Sequence, residues 1–259
     1  MLDPTQRFTT RVDTYTRFRP SYPEAIIGLL ERECGLTPNT VIADMGSGTG
    51  ILADMFLRYG CQVYGIEPND AMRTAGETLL DSYARFTSVA ATAEDTTLPD
   101  QSVDVITAGQ AYHWFNPERA RVEWQRILRP NGWVVLIWNT RHTGGTPFLE
   151  AYEQLLRTYG TDYTTVAHRT TDHADERRAF FGGDTFKLAT FDNRQIVDWE
   201  GLRGRLLSTS YTPEPGYPNF EPMLRELRSI FDRYNEHGTV TFLYTTEVWY
   251  GQFASNAEC

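Results

Sequence analysis

The segment Asp44-Met45-Gly46-Ser47-Gly48-Thr49-Gly50 sets three glycines at a change of periodicity. Before it, Val41 to Met45 is a short apolar run of strand length. After it, Ile51, Leu52, Met55, Phe56 and Tyr59 recur at helical spacing up to Gly60. The segment therefore reads as a strand, a tight loop and a helix, and glycines there let the backbone turn sharply and come close to a ligand.

The same alternation continues outward. Ser21 to Glu24 has the S-x-x-E form of a capping box and opens an apolar stretch through Ala25, Ile26, Leu29 and Leu30 that closes at Gly35. Downstream, Cys61 to Glu67 reads as a strand, Asp70 to Tyr83 as a helix, Phe86 to Ala90 and Val103 to Ala108 as strands. Asn116 and Pro117 then start a helix through Ile127, and Trp133 to Asn139 is a fifth strand after the turn Pro130-Asn131-Gly132. Strands alternating with helices predict an α/β fold with a doubly wound, Rossmann-like, mostly parallel sheet. The second half is less regular: helices around Phe148–Tyr159, Asp198–Leu207 and Phe220–Tyr234, a strand-like Asp184–Phe191, and a β-branched, aromatic run Thr239–Tyr250 that should return to the sheet as an antiparallel final strand.

Composition narrows the function. The 259 residues suit one large domain or one domain with an insertion, and 41% apolar against 22% charged residues excludes a disordered chain. A net charge of −10, with Lys187 the only lysine, argues against a general nucleic-acid or anionic-membrane binder. Cys34, Cys61 and Cys259 have no zinc-site spacing, and an odd count with no apolar leader predicts a reducing, cytoplasmic setting. No apolar run approaches the length of a membrane helix.

Two ligand classes fit the glycine loop. Gly48-Thr49-Gly50-Ile51-Leu52-Ala53 matches the dinucleotide form G-x-G-x-x-A, and Glu67 ends the second strand where a ribose-binding acid belongs. An NAD(P)-dependent oxidoreductase is thus one reading. Against it, Asp44 closes the first strand beside the loop, where a pyrophosphate would meet like charge. A carboxylate there favours a cation, which S-adenosylmethionine supplies with its ammonium and sulfonium. Ala93-Glu94-Asp95 adds further acids after the third strand.

With these residues in view, the chain resembles the class I S-adenosylmethionine-dependent methyltransferases, in particular the small-molecule group that includes trans-aconitate and quinone-biosynthesis methyltransferases. The resemblance rests on Asp44-x-Gly46-x-Gly48-x-Gly50, Glu67-Pro68-Asn69-Asp70-Ala71-Met72, Ala93-Glu94-Asp95, Gln110-Ala111-Tyr112-His113-Trp114-Phe115, and Tyr15-x-x-x-Arg19-Pro20-x-Tyr22-Pro23. It implies that Asp44, Gly46, Gly48 and Gly50 cradle the methionine part and that Glu67 takes the ribose hydroxyls. It further implies that Asn69 and Met72 flank the adenine, that Ala93 and Glu94 meet its edge, that Gln110 lies beside the methionine, and that Tyr15 and Arg19 belong to a helical amino-terminal lid. The division it suggests is a lid over residues 1–22, a cofactor-binding core over 23–139, an elaborated acceptor-binding segment over 140–238 and a final strand over 239–259.

The expected chemistry is in-line methyl transfer to a small organic molecule, with S-adenosylhomocysteine as product, by a monomer or homodimer. His113, with Tyr112, is the candidate base for a phenol or carbon acid. A carboxylate acceptor would instead need an arginine or backbone clamp. Tyr211, Tyr217 and Arg141 are candidates for the acceptor pocket and equally for core or surface. His168, Asp172, His173, Asp175 and Glu176 could be drawn as a metal site but read as a solvated polar loop, so no metal is expected. A non-catalytic adenosyl-binding protein stays open beside the oxidoreductase.

Overall fold

The computed structural model describes residues 18–161, 163, 174–209 and 211–254. Its strands are β1 (Val41–Met45), β2 (Gln62–Ile66), β3 (Phe86–Val89), β4 (Val103–Gly109), β5 (Leu128–Arg141), β6 (Phe186–Val197) and β7 (Val240–Gly251). They form one seven-stranded sheet in the order β3-β2-β1-β4-β5-β7-β6. The five strands from β3 to β5 pair in parallel, whereas β7 lies antiparallel between β5 and β6. This is the doubly wound, mostly parallel sheet with an antiparallel final strand that the sequence predicts.

Alternation along the strands builds two cores. Ile42, Val105, Val135, Ile137 and Val248 face α1 (Ala25–Cys34) and α2 (Ile51–Tyr59), with Ile26, Leu30 and Phe56 fully enclosed. Ala43, Met45, Ile106, Val134 and Leu136 face the other way, under Trp124 of α4 (Pro117–Ile127) and Phe180 and Phe181 of α6 (Ala174–Phe181). Enclosing each such side chain contributes about 1.5–3 kcal/mol. Between the two halves α3 (Asp70–Leu79) starts on a side-chain cap, Asn69 Oδ1 accepting from Met72 N at 3.0 Å.

A third cluster belongs to the second half of the chain. Helices α5 (Pro147–Tyr159), α7 (Trp199–Leu207) and α8 (Phe220–Tyr234) pack Phe148, Tyr152, Leu202, Leu206, Met223 and Leu227 against Val240, Phe242 and Tyr244. Those β7 residues pair with the end of β6 and reach past the last residues of β5. The elaborated segment therefore stands beyond the carboxyl ends of the parallel strands, which is the edge where open α/β sheets bind ligands.

Three local expectations shift. No side chain caps α1: its N-cap falls on Glu24, three residues past Ser21, and the Glu24 carboxylate accepts from Arg58, so the capping box does not form. β6 runs to Val197 rather than Phe191: Asp192, Asn193 and Arg194 interrupt the apolar pattern, but an edge strand paired residue for residue with β7 tolerates them. The turn at Pro130-Asn131-Gly132 is absorbed into β5, where Asn131 has φ 64° and the register against β4 shifts between Val103 and Val105.

Candidate functional site

At the point where the strand order reverses, between β1 and β4, the carboxyl ends of β1, β2, β3 and β4 surround an open cavity of about 790 Å³ including its mouth. Gly46 and Gly48 come from the first loop, Glu67, Pro68, Asn69 and Met72 from the second, Thr92, Ala93 and Glu94 from the third, and Gly109, Gln110, Ala111, Trp114 and Phe115 from the fourth.

The glycines are there for room and for backbone conformation. Gly46 has φ +64°, and a Cβ on it would sit 2.7 Å from Ala111 Cβ; Gly48 has φ +57° and would press on Met72 Cε at 3.3 Å. Gly50, φ +87°, has a different neighbour: its added Cβ would come within 2.5 Å of Leu80 Cδ1. Gly50 does not line the cavity and instead lets the start of α2 pack on the end of α3.

Four of the loop's amide hydrogens are already spent. Gly46 N and Ser47 N donate to Ile66 O at 2.9 and 3.1 Å, and Gly50 N to Ser47 O at 2.8 Å. Gly48 N donates to Glu67 Oε2 at 2.9 Å. Glu67 Oε1 takes Asn69 N at 2.8 Å, so the buried carboxylate bridges the first two loops. Burial raises the Glu67 carboxyl, opposed by these two N–H bonds and by Arg73 nearby.

Asp44 is 1% exposed. Its Oδ1 accepts from Thr107 Oγ1 at 2.8 Å, a contact created by the β1–β4 register that sets Asp44 opposite Thr107. Its Oδ2 has no hydrogen-bond partner. Burial pushes the carboxyl up to about 7, and the neighbouring Glu67 adds to the rise against the Thr107 bond. Gln110 repeats the theme at the end of β4. It holds a left-handed φ of 57°, its Nε2 donates to Asn139 O at 3.1 Å, and its buried Oε1 is unpartnered. The site therefore combines two buried carboxylates with spare acceptor atoms and a loop in which four N–H groups are already bonded. That favours a cationic, hydroxyl-bearing ligand over a phosphate.

Other expected residues are placed as follows. Glu94 lines the cavity, and its Oε1 accepts from Asn116 N at 2.7 Å, tying the third loop to the start of α4. The Ala93 carbonyl is taken by Trp124 Nε1 at 2.9 Å. Tyr15 lies outside the described residues, as do His168, Asp172 and His173. Arg19 does not line the cavity; its Nη2 donates to Ser208 O at 3.1 Å, tying the amino-terminal stretch to the end of α7.

The strap from Phe18 to Tyr22 crosses several elements. Gln195 Nε2 donates to Phe18 O at 2.9 Å, a Cβ on Gly204 would overlap the Phe18 ring, and a Cβ on Gly109 would meet Tyr22 Oη at 2.5 Å.

The pair proposed as base is displaced from the cavity wall. Tyr112, in a short 3-10 turn (Tyr112–Trp114), is buried in the second core against Phe180, and burial pushes its hydroxyl up to about 12. His113 is exposed, between the Trp114 and Trp138 rings at 4.3 and 5.0 Å. Their neighbours Trp114 and Phe115 line the cavity instead, because successive residues of a 3-10 turn point about 120° apart and only the end of the run faces the cavity. Of the acceptor candidates, Arg141 is partly buried and paired with Glu153, Tyr211 packs on Tyr163, and Tyr217 is exposed. Sequence reasoning did not find Thr107, Asn139, Asn193 or Gln195, whose roles exist only through strand pairing.

Residues 43–136 match the family model described as a methyltransferase domain. An uncharacterised methyltransferase of Mycobacterium tuberculosis is 38% identical over 135 residues, covering 52% of each chain. A Saccharomyces cerevisiae protein named as an S-adenosylmethionine-dependent methyltransferase is 32% identical over 184 residues, 69% of this chain and 62% of that one. The chain thus spans about half the length of the first curated relatives it matches. Among solved structures, one named for a type II methyltransferase from Anaeromyxobacter dehalogenans superposes with a TM-score of 0.67 at 20% identity, over 91% of this chain and 98% of that one, and shares the fold.

Proposed function

We propose that the chain is a class I S-adenosylmethionine-dependent methyltransferase that binds S-adenosylmethionine in the cavity at the ends of β1 to β4 and methylates a small organic molecule, a reading supported by the methyltransferase-domain match over residues 43–136. The carrying observation is the pairing of Asp44 and Glu67 around a glycine loop in which the amide hydrogens of Gly46, Ser47, Gly48 and Gly50 are internally satisfied. The same observation weighs against a nicotinamide nucleotide, whose pyrophosphate needs those amides.

When bound, the donor supplies a sulfonium-activated methyl group. The protein's own contribution is positional. Gly46 and Gly48 leave space for close approach, Glu67 offers its remaining lone pairs to hydroxyls, and the Asp44 carboxylate and Gln110 Oε1 are acceptors for an ammonium group. Met72, Trp114 and Phe115 give the cavity apolar walls. The strap Phe18–Tyr22, with α7 above it, limits water at the acceptor end, where holding the acceptor in line is the main source of rate enhancement. With Tyr112 in the core, this reading rests on alignment more than on a base. No helix among the described residues is long and apolar enough to cross a membrane, and the odd cysteine count supports a cytoplasmic setting.

Calorimetric titration with S-adenosylhomocysteine tests the reading. Micromolar binding, weakened at least tenfold in Asp44→Asn, is expected. Absence of binding at millimolar ligand overturns it.

A further inference from the structure

The third cluster contains charge that its apolar surroundings do not explain. Arg205 of α7 is 6% exposed, and among the described residues no carboxylate lies within salt-bridge distance of it. Its guanidinium lies 4.5 Å from the centre of the Phe242 ring and 5.4 Å from that of Tyr244. Its Nε–H has no acceptor, and Nη1 reaches Gln195 Oε1 only at 3.4 Å. Tyr152, 1% exposed and packed edge-on against the same Phe242 ring at 4.9 Å, has a hydroxyl with no partner. Tyr244 Oη also reaches Gln195 Oε1, at 3.3 Å.

The Arg205 Nε–H is a donor with no acceptor, and the Tyr152 hydroxyl is a second group free to donate. The nearby acid, Glu153, is committed to Arg141, Tyr163 and Arg157. A buried cation with donors to spare and no anion is among the costliest arrangements a core can hold, and proteins retain it where a ligand supplies the charge.

The position suits the acceptor. Tyr244 pairs with Arg141 and Thr246 with Asn139, whose carbonyl holds Gln110 of the donor cavity. Two residues along a strand span about 7 Å, so the cluster begins roughly that far beyond the donor cavity, on the side crossed by the strap. Resting on the proposed function, we infer that Arg205, with Tyr152 and Tyr244, binds an anchoring carboxylate of the methyl acceptor, which is therefore an organic acid. The guanidinium supplies the charge-assisted bond, the tyrosine hydroxyls complete the acceptor's lone pairs, and the surrounding aromatic rings take its carbon skeleton.

The test uses the full chain saturated with S-adenosylhomocysteine and, in parallel, the chain alone. Acetate, glutarate, benzoate and 3-phenylpropionate are titrated beside their amides, with melting temperature and calorimetric affinity as readouts. At least one acid is expected to bind ten times more tightly than its amide. That preference should vanish in Arg205→Met and be partly kept in Arg205→Lys, with the affinity for S-adenosylhomocysteine within twofold throughout. If Arg205→Met does not fold, Tyr152→Phe replaces it, with an expected three- to tenfold loss for the acid. Equal binding of acid and amide by the wild type, or an unchanged acid preference in the variants, overturns the inference. Failure of S-adenosylhomocysteine to bind while acids still do overturns the donor reading instead.

Discussion

Replacing Asp44 by Asn should change stability with opposite sign at the two ends of the accessible pH range. The buried carboxyl rises from 3.8 to about 7, so the native protein holds a proton that the unfolded chain has released. Stability is unaffected by this group below about pH 4 and is lost as pH climbs toward 7, by about 1.4 kcal/mol per unit or about 4 kcal/mol in all. Asparagine removes that pH-dependent loss. In exchange it sets an amide NH₂ where Oδ2 had no partner, at about 1–3 kcal/mol whatever the pH. At pH 8 the variant should therefore be more stable by about 1–3 kcal/mol, or several degrees in Tm at 2–4 °C per kcal/mol. At pH 4.5 the pH-dependent part has shrunk to about 1 kcal/mol, and the variant should be level with the wild type or below it. Thermal melts of both proteins, without ligand, at half-unit steps from pH 4.5 to 8.5 give the answer. A Tm difference that stays constant across the series would refute the assignment of a raised carboxyl to Asp44.

Because a bound ammonium favours the ionised form of Asp44, the affinity for S-adenosylhomocysteine should rise by up to tenfold per pH unit below 7 and flatten above it, while Asp44→Asn shows little dependence; calorimetry at four pH values suffices. Glu67→Gln keeps one acceptor but sets an NH₂ against Gly48 N–H or Asn69 N–H, so that affinity should fall about 10- to 100-fold with the fold intact by circular dichroism. Gly50→Ala combines a disallowed φ with a clash on Leu80 and should cost about 2–4 kcal/mol in denaturant melts. Gly204→Ala should displace Phe18 and lower stability by about 1–3 kcal/mol while leaving S-adenosylhomocysteine affinity within twofold, which separates the strap from the donor cavity.

The constellation of acids and glycines around the cavity was legible because its determinants are local. Asp44, Gly46, Gly48, Glu67 and Asn69 sit at strand ends or in the loops that follow, and in a parallel α/β sheet every strand end falls on the same edge. The directions taken by the aromatic run after β4 were not legible, for the same reason in reverse. Consecutive residues in a single 3-10 turn point in different directions, so Trp114 and Phe115 reach the cavity while Tyr112 enters the core and His113 the surface.

The chain's one-dimensional pattern determined the order of strands and helices, the parallel sheet and the acidic character around the glycine loop, since each follows from periodicity, turn chemistry or residue type within a short window. Tertiary structure alone decided three things. The β1–β4 register brought Thr107 to Asp44 and left the second oxygen unpartnered. The antiparallel pairing of β7 with β5 and β6 put Asn139, Asn193, Gln195 and Tyr244 on one surface. The packing of α5 and α7 on Phe242 enclosed Arg205 and Tyr152 together, although they are distant in sequence. Electrostatic consequences of this kind depend on which charges and dipoles share a desolvated volume, and that is a property of contacts between distant segments rather than of any stretch of sequence.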